Sequence, residues 1–450
     1  MYSGKQPLSI INTRPPKLSS VNQFNRNFFR KDIPLLAVRV SAPKAGIFLK
    51  TPVLKGFLLH IPKVKTVVHN ESNPQERLVL LGTADQEKLS PDARTFIVQE
   101  GLEIVQYLLT LDYDYWTTDE ILEAVLPENT SEGTPTSFAT AGHLGLCVAH
   151  VNLKDEYLSF KNIIGQVILD KNPNIKTVVN KLNNIHTQFR FFEMELLAGV
   201  PEYIVTVNES GCKFTFDFSK VYWNSRLHHE HERLVSLFNP GDVVVDVFAG
   251  VGPFALPAAK RGCVVLANDL NPESTKWAQI NVINNHLTDR IRIFCEDGAT
   301  FIRRITKEVW ENPFPESGEV RSATQQRREL RKQPVKQQTP PRQGSKRISH
   351  FVMNLPDSAI SFLPSFKNMF SELKNHPEFP EVYQNMPVVH CYCFTRELEF
   401  EAANIDIRNR VSTALNCSIE DSGVLHFVRR VAPNKDMYCI SFALPQEVLL

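Results

Sequence analysis

A glycine-containing turn in the second half of the chain is the first feature that could bind a small molecule. Asp246 lies near the end of the largely apolar run Val243–Val247, and Phe248, Gly250 and Gly252 follow before a helical stretch. Glycines at such a position let the backbone turn sharply and approach a ligand closely, and the next helix offers unpaired N–H groups. The spacing also satisfies the dinucleotide-binding pattern, so the turn alone admits a nicotinamide cofactor or S-adenosylmethionine.

Two polar residues follow later strand-like runs. Asp269 ends the second run, where a carboxylate can bind a ribose of either cofactor. Asn354-Leu355-Pro356 comes directly after the fourth run. A side-chain amide offers two donors and an acceptor, and the proline fixes the backbone, so Asn354 and Pro356 can hold the edge of a nitrogenous base. Methyltransferases that modify such nitrogens use Asn-x-Pro at this place, whereas hydride transfer does not need it; a turn without a catalytic role would also accommodate these residues.

The segment Tyr222–Arg233, just before the first run, interleaves aromatic, basic and acidic residues. Tyr222 could stack on an extruded base, Arg226 could contact phosphates, and Glu230 could transfer a proton. The alternative is a charged helix surface that leads into the domain.

The elements that must position these residues alternate between strands and helices. Strand-like runs at Val243–Val247, Cys263–Ala267 and Ile291–Cys295 are separated by helical segments, which predicts an α/β fold with a parallel, doubly wound sheet whose ligand lies at the carboxyl ends of the strands. Earlier, Ala93–Leu111 has a helix-like pattern, and a polar loop at Asn129–Ser137 predicts a domain boundary.

Composition excludes several classes of protein. The formal net charge is +1, so a nucleic-acid site must come from locally clustered basic residues. No apolar run approaches the roughly 18 residues of a spanning helix, so we predict no membrane segment. The eight cysteines show no CxxC pair and predict no metal site; Cys391 and Cys393 alternate in a strand-like run, which favours core packing over metal binding.

Two segments are unusually basic. Residues 1–31 carry Lys and Arg with Ser and Thr but no acid, a composition typical of a mitochondrial transit peptide and also of a disordered basic leader. Between Arg321 and Arg347 nine basic residues stand against one acid, Glu329, among Gln, Pro and Ser. This composition predicts a disordered insertion, over about 311–348, that is solvated or contacts RNA phosphates.

From about Gly142 to the C-terminus, the chain resembles the tRNA (guanine-37-N1)-methyltransferase family of eukaryotes and archaea. The resemblance depends on the combination of several segments: Arg190–Gly199, Asp217–Leu227 with Glu230-His231, Asp246–Phe254, Asn268–Pro272, Met353–Pro356 and Val431–Lys435. The departures are the longer insertion and extra residues within Gly142–His150, and neither touches these motifs.

The resemblance implies three domains and a set of residue roles. The domains are an N-terminal module at 32–128 that checks the shape of tRNA, a small α/β domain at 138–215 and a Rossmann-like class I methyltransferase domain at 216–450. Glu230 would be the general base and Arg190 the group that stabilises charge on guanine O6. The residues expected at the S-adenosylmethionine site are His231, Asp246, Phe248, Gly250, Gly252, Asp269, Leu270, Asp297, Gly298 and Asn354.

The expected activity is therefore methylation of N1 of guanosine 37 in tRNA, by a monomer. The alternatives are the related transferase of the aminocarboxypropyl group in wybutosine synthesis, an NAD-dependent oxidoreductase, and a catalytically silent tRNA-binding protein. The sequence leaves the localisation open between mitochondrial matrix, cytoplasm and nucleus.

Overall fold

The chain forms two compact units. The computed structural model describes residues 11–18, 24–127, 135–142, 147–185, 189, 192–314, 345–419 and 423–449. The first unit comprises Met1–Phe138, Leu153–Pro173 and Leu197–Gly199, and the second comprises Ala139–Asn152, Asn174–Leu196 and Val200–Leu450. These units do not coincide with the domain boundaries drawn from the sequence, which stay predictions.

The first unit contains a four-stranded sheet with the order β2-β3-β1-β4, in which β1 pairs antiparallel with both neighbours. Leu36, Val38 and Val40 are alternate residues of β1, so their side chains point to the same face and pack in one core with residues of the flanking helices. Its strands are β1 Lys31–Ser41, β2 Val67–His69, β3 Glu76–Leu80 and β4 Glu103–Leu111. Its helices are α1 Ala45–Lys50, α2 Pro52–Lys55, α3 Pro91–Gln99, α4 Thr118–Val125 and α5 Lys161–Lys171.

The single helix-like stretch predicted over Ala93–Leu111 is wrong. The helix α3 ends at Gln99, and Gly101, at φ +64°, reverses the chain into strand β4. Glycine adopts this left-handed conformation at helix ends with little cost, so it terminates the helix. The following residues then pair with β1, and tertiary pairing overrides the helical pattern.

Residues of the predicted leader pack on the first unit. The Trp116 indole donates to the Thr13 carbonyl at 2.7 Å. The Arg26 guanidinium makes a bidentate pair with Asp170, at 2.8 and 2.6 Å, and Phe29 is only 1% exposed. Cleavage after residue 31 would therefore remove part of the core of this unit.

Two small sheets lie mainly in the second unit. One has the order β5-β6-β7-β8, and the other is the hairpin of β9 and β10, closed by Ser210-Gly211, both at positive φ. These strands are β5 Ala139–Ala141, β6 Cys147–Val151, β7 Ile175–Ile185, β8 Phe192–Gly199, β9 Ile204–Glu209 and β10 Cys212–Asp217.

The seven-stranded sheet of the second unit has the order β13-β12-β11-β14-β15-β17-β16. Its strands are β11 Val243–Asp246, β12 Val264–Asn268, β13 Ile291–Phe294, β14 His350–Met353, β15 Val388–Thr395, β16 Val424–Ala432 and β17 Lys435–Ala443. The first five in sheet order are parallel, as the sequence predicted, but β17 is antiparallel to β15 and to β16, so the sheet is mixed. The helices are α6 His228–Ser236, α7 Ala255–Lys260, α8 Pro272–Asn284, α9 Gly298–Glu311, α10 Phe379–Val382, α11 Phe400–Leu415 and α12 Gln446–Leu449.

Both faces of this sheet are covered. Val243 and Val245 belong to one hydrophobic core and Val244 to the core on the opposite face, which explains the continuous apolar run of β11. Cys391 and Cys393 are both fully buried in the first of these cores, which confirms their predicted packing role. Among the described helices, none combines the length and apolar character needed to cross a membrane. Most of the basic insertion, 315–344, lies outside the described residues.

Candidate active site

The predicted cofactor residues meet at one edge of the large sheet. Asp246 is the last residue of β11, and Asp269, Asp297 and Asn354 follow the carboxyl ends of β12, β13 and β14; these four strands are neighbours. Carboxyl ends of adjacent parallel strands form the ligand-binding edge of such sheets. The topology thus brings together residues that are separated by more than a hundred positions in the sequence.

The turn after β11 depends on its glycines. Gly250 and Gly252 have φ values of +56° and +99°, which side chains other than glycine rarely adopt. A Cβ at Gly252 would lie 2.2 Å from Cδ1 of Leu256, whereas a Cβ at Gly250 would meet no atom within 4 Å. Gly252 is therefore required by packing, while Gly250 borders open space at the edge of the sheet.

Asp269 fixes this turn. Its Oδ2 accepts a hydrogen bond from the Gly250 amide and its Oδ1 accepts one from the Asn271 amide, both at 2.8 Å. Burial raises the pKa of the Asp269 carboxyl, and these two amides oppose the rise. Each oxygen keeps a further lone pair, so the partly buried carboxylate can still accept from a ligand hydroxyl.

Asp246 and Asn354 are the polar groups whose hydrogen bonding is incomplete at this edge. Neither carboxylate oxygen of Asp246, a fully buried residue, has a hydrogen-bond partner among the described residues. Burial and the nearby charge of Asp269 raise the pKa of the Asp246 carboxyl well above its ordinary value, against the opposing effect of the Phe248 backbone amide. The Oδ1 atom of Asn354 is likewise buried without a partner in the described part of the chain. Such atoms are costly unless a ligand or water completes them.

The remaining predicted cofactor residues line the same edge. A Cβ at Gly298 would lie 2.8 Å from Cε1 of Phe248, so this glycine allows the ring to pack against the start of α9. Asp297 caps that helix by accepting from the Thr300 amide at 3.0 Å, and Leu270 is 41% exposed. An exposed apolar side chain, an aromatic ring and a helix N-terminus suit a planar, nitrogen-containing ligand such as adenine.

Glu230 lies in the first turn of α6 and is 6% exposed. Arg233, one turn along the helix, donates Nε to Oε2 at 2.7 Å and a terminal nitrogen to Oε1 at 2.6 Å. The Tyr392 hydroxyl of β15 donates to Oε1 at 2.8 Å, and His426 of β16 places Nε2 at 3.4 Å from Oε2. The carboxylate is thus buried and held by partners from the helix and the sheet.

The strand register places Glu230 near the base-binding turn. Met353 of β14 pairs with Cys391 of β15, so Asn354 and Tyr392 are the next residues along the two strands. Because Tyr392 of β15 donates a hydrogen bond to Glu230, the Glu230 carboxylate lies beside the strand adjacent to β14, which Asn354 follows. The backbone carbonyl of Pro356 accepts from the Phe394 amide at 3.1 Å, which anchors the turn to β15.

The other predicted residues of this segment differ in exposure. His231 is buried, its Nδ1 lies 2.5 Å from Oε1 of Glu209, and its ring packs edge-on against Phe254, which follows the glycine turn. Tyr222 is 47% exposed and Arg226 is exposed, so both side chains are available to a macromolecular substrate. Arg190 lies outside the described residues.

Four residues of the site had no role in the sequence analysis. They are Glu209, Arg233, Tyr392 and His426. Arg233 could have been found, because an arginine three positions after a glutamate on a helix is positioned to pair with it. The others come from distant strands, and nothing in their local sequence indicates a site.

An S-adenosylmethionine molecule fits the chemistry of these residues. The open space beside Gly250, the remaining lone pairs of Asp269, and the unpartnered oxygens of Asp246 and Asn354 provide a cradle with hydrogen-bonding capacity. No group of three or more His, Cys, Asp or Glu side chains arranged for a metal ion occurs among the described residues.

Comparisons with known proteins agree with this geometry. Two family models match: the TRM5/TYW2 methyltransferase domain over residues 205–309 and the TYW2 N-terminal domain over 118–202. The tRNA (guanine(37)-N(1))-methyltransferase of Coprinopsis cinerea is 51% identical, over 97% of each chain. That of Schizosaccharomyces pombe is 43% identical, over 95% of each chain. Among solved structures, aTrm5 in its complex with tRNALeu is similar in fold, with a TM-score of 0.54, 19% identity, and 91% of this chain and 100% of that chain covered.

Proposed function

The chain belongs to the tRNA (guanine(37)-N(1))-methyltransferase family, and we propose that it methylates N1 of guanosine 37 in tRNA with Glu230 as the base. The assignment of Glu230 rests on one observation: its carboxylate is buried and contacts β15, the strand next to the one that Asn354 follows, at the edge of the sheet where the cofactor residues meet. S-adenosylmethionine, when bound, supplies an electrophilic methyl group on its sulfonium.

The reaction needs a base because guanine N1 carries a proton at neutral pH. The carboxylate of Glu230 accepts that proton as N1 takes the methyl group. Arg233 and Tyr392 hold the carboxylate in one orientation, which lowers the cost of aligning it with the base. Stabilisation of the negative charge that develops on O6 is assigned to Arg190 on the basis of the family resemblance alone.

The turn from Phe248 to Gly252 would hold the cofactor. Asp269 would accept hydrogen bonds from ribose hydroxyls, and Leu270, Asp297 and Gly298 would border the adenine. The buried oxygens of Asp246 and Asn354, which lack partners, would complete their hydrogen bonding on polar groups of the ligand. His231 supports this site indirectly, through its contact with Phe254.

The tRNA is positioned by partly and fully exposed residues of the same unit. Asn354 and Pro356 hold the edge of the guanine, Tyr222 offers an aromatic face, and Arg226 contacts phosphates. We propose that the enzyme acts as a monomer, which light scattering of the enzyme with tRNA checks.

The experiment that tests the activity is mass spectrometry of nucleosides from a tRNA transcript incubated with enzyme and S-adenosylmethionine. We expect 1-methylguanosine from a transcript with guanosine 37 and none from one with adenosine 37. An aminocarboxypropyl adduct, which differs in mass, would identify the related wybutosine-pathway activity instead.

The experiment that tests Glu230 is its replacement by glutamine. We expect the single-turnover rate to fall by about 10²–10⁴-fold, as for loss of a general base, with tRNA affinity nearly unchanged. Glu232→Gln is the matched control, because Glu232 is on the same helix but half exposed and paired only with His228 among the described residues. A rate for the Glu230 variant within a factor of about three of the control would remove Glu230 from this role.

We propose that the protein is divided between compartments. The basic composition of residues 1–31 supports delivery of part of the protein to the mitochondrial matrix, with the rest in cytoplasm and nucleus.

A further inference from the structure

The carboxylate of Glu230 has one acceptor position left. Two carboxylate oxygens offer about four lone-pair positions. Arg233 occupies one on each oxygen, and the Tyr392 hydroxyl occupies a second on Oε1. The remaining position, on Oε2, faces Nε2 of His426 at 3.4 Å. A proton carried by Oε2 therefore lies within reach of His426.

His426 also connects this buried carboxylate with the protein surface. The strand register places Tyr392 of β15 opposite Cys439 of β17, and Cys439 opposite His426 of β16. Residues paired in this way point to the same face, so the three side chains form a row that faces α6. The side chain of Glu230 is 6% exposed whereas that of His426, on the edge strand, is 42% exposed.

The other groups around Glu230 cannot take up a proton. Arg233 is a cation without an acceptor atom. Burial raises the pKa of Tyr392 well above its ordinary value and raises that of the Cys439 thiol to about 12, so both stay protonated. His426 differs, because burial and the charge of Arg233 lower its pKa, against the opposing effect of Glu230, and keep the imidazole neutral at pH 7. In the described part of the site, His426 is the one neutral proton acceptor that faces Glu230.

We propose that His426 is a proton relay, which receives at Nε2 the proton that Glu230 takes from guanine N1 and releases it to solvent. This role rests on the proposed function of Glu230. The N1–H bond breaks as the N1–methyl bond forms, and the proton passes to Oε2 of Glu230. The step uses the tautomer of His426 with its hydrogen on Nδ1: the proton moves from Oε2 to Nε2, and the imidazolium then loses its Nδ1 proton to water or buffer. Glu230 is again a carboxylate, and no further reactant is consumed.

The test compares His426→Gln and His426→Ala with wild type in single-turnover methylation. Glutamine keeps a hydrogen-bonding side chain but cannot carry a proton, so we expect both variants to be slower by about tenfold, less than loss of the base itself, because water can take the proton slowly. Added imidazole should restore the rate of His426→Ala and leave wild type unchanged. His286→Asn is the control, since His286 is exposed after α8, at the opposite edge of the sheet, and asparagine tolerates its φ of +59°.

The pH profile gives a readout that a purely structural role would not change. As the pH falls through the pKa of His426, below 6.5, the imidazole is already protonated and cannot accept, so the wild-type rate should decline there. His426→Gln should lack this decline. The groups that face His426 are Glu230 and Arg233 of α6 and Cys439 of β17, and we expect neither Arg233 nor Cys439 to titrate in this range.

The outcomes separate this proposal from the one on which it rests. If Glu230→Gln is inactive while both His426 variants match the control and imidazole has no effect, the relay is refuted and the base assignment stands. If Glu230→Gln itself matches wild type, both fall. A His426→Gln variant as fast as wild type, beside a slow His426→Ala that imidazole does not rescue, would assign His426 a packing role and overturn the relay.

Discussion

Alanine at Gly250 and at Gly252 should separate cofactor binding from folding, although the two glycines are only two positions apart. At Gly252, a left-handed backbone costs an alanine roughly 1–2 kcal/mol, and its Cβ would displace Cδ1 of Leu256, for about 0.5–1.5 kcal/mol more. We therefore expect Gly252→Ala to destabilise the second unit by about 1.5–3.5 kcal/mol.

Gly250→Ala should behave differently. Its φ of +56° is near the centre of the left-handed region and no atom lies within 4 Å of the added Cβ, so only the conformational cost of about 1 kcal/mol applies. The new methyl group would instead project into the space assigned to S-adenosylmethionine. We expect the affinity for the cofactor to fall by at least about tenfold, which corresponds to about 1.4 kcal/mol.

Calorimetry measures both effects. At roughly 2–4 °C per kcal/mol for a unit of this size, Gly252→Ala should melt several degrees below wild type and Gly250→Ala only a few. Isothermal titration well below the melting temperature should show the opposite order for cofactor affinity. Equal losses of stability in the two variants, or wild-type cofactor affinity in Gly250→Ala, would refute the assignment of this space to the cofactor.

Three further predictions concern charge. Because the pKa of Asp246 is raised in the folded state, folding takes up a proton at pH values between the unfolded and the folded pKa, and the free energy of unfolding falls as the pH rises through that interval. Asp246→Asn should flatten this pH dependence in thermal melts of the free protein. The same variant should weaken cofactor binding. Deletion of residues 315–344 spares the contacts of Lys346 with Glu378 and of Arg347 with Asn385. It should weaken tRNA binding and flatten the plot of log affinity against log salt concentration by about one unit per lost phosphate contact. An unchanged slope would show that the insertion is a solvated loop. Residues 1–31 fused to a fluorescent reporter should direct part of it to mitochondria, and a purely cytosolic or nuclear signal would contradict the leader hypothesis.

The cofactor edge could be predicted from sequence because each of its residues is tied to a strand end. Runs such as Val243–Val247 identify buried parallel strands. Residues at or just after the ends of these strands, among them Asp246, Asp269 and Asn354, must lie at the carboxyl edge. The antiparallel β17 was missed because an apolar run carries no information on strand direction. The helix predicted over Ala93–Leu111 failed because pairing with β1 decides the conformation of its second half.

The proton-transfer site could be predicted only in part, since Glu230 and Arg233 lie on one helix whereas Tyr392 and His426 are brought together by the register of the last three strands. Tyr392 and His426 reach Glu230 because β17 is inserted between β15 and β16, which places their side chains in one row with Cys439. A buried carboxylate without partners would be strongly unfavourable, so Arg233 and Tyr392 stabilise it in the absence of substrate. The same contacts leave a single acceptor position, beside a neutral imidazole at the edge of the sheet. The arrangement that allows Glu230 to be buried thus also places a proton carried by Oε2 within reach of His426.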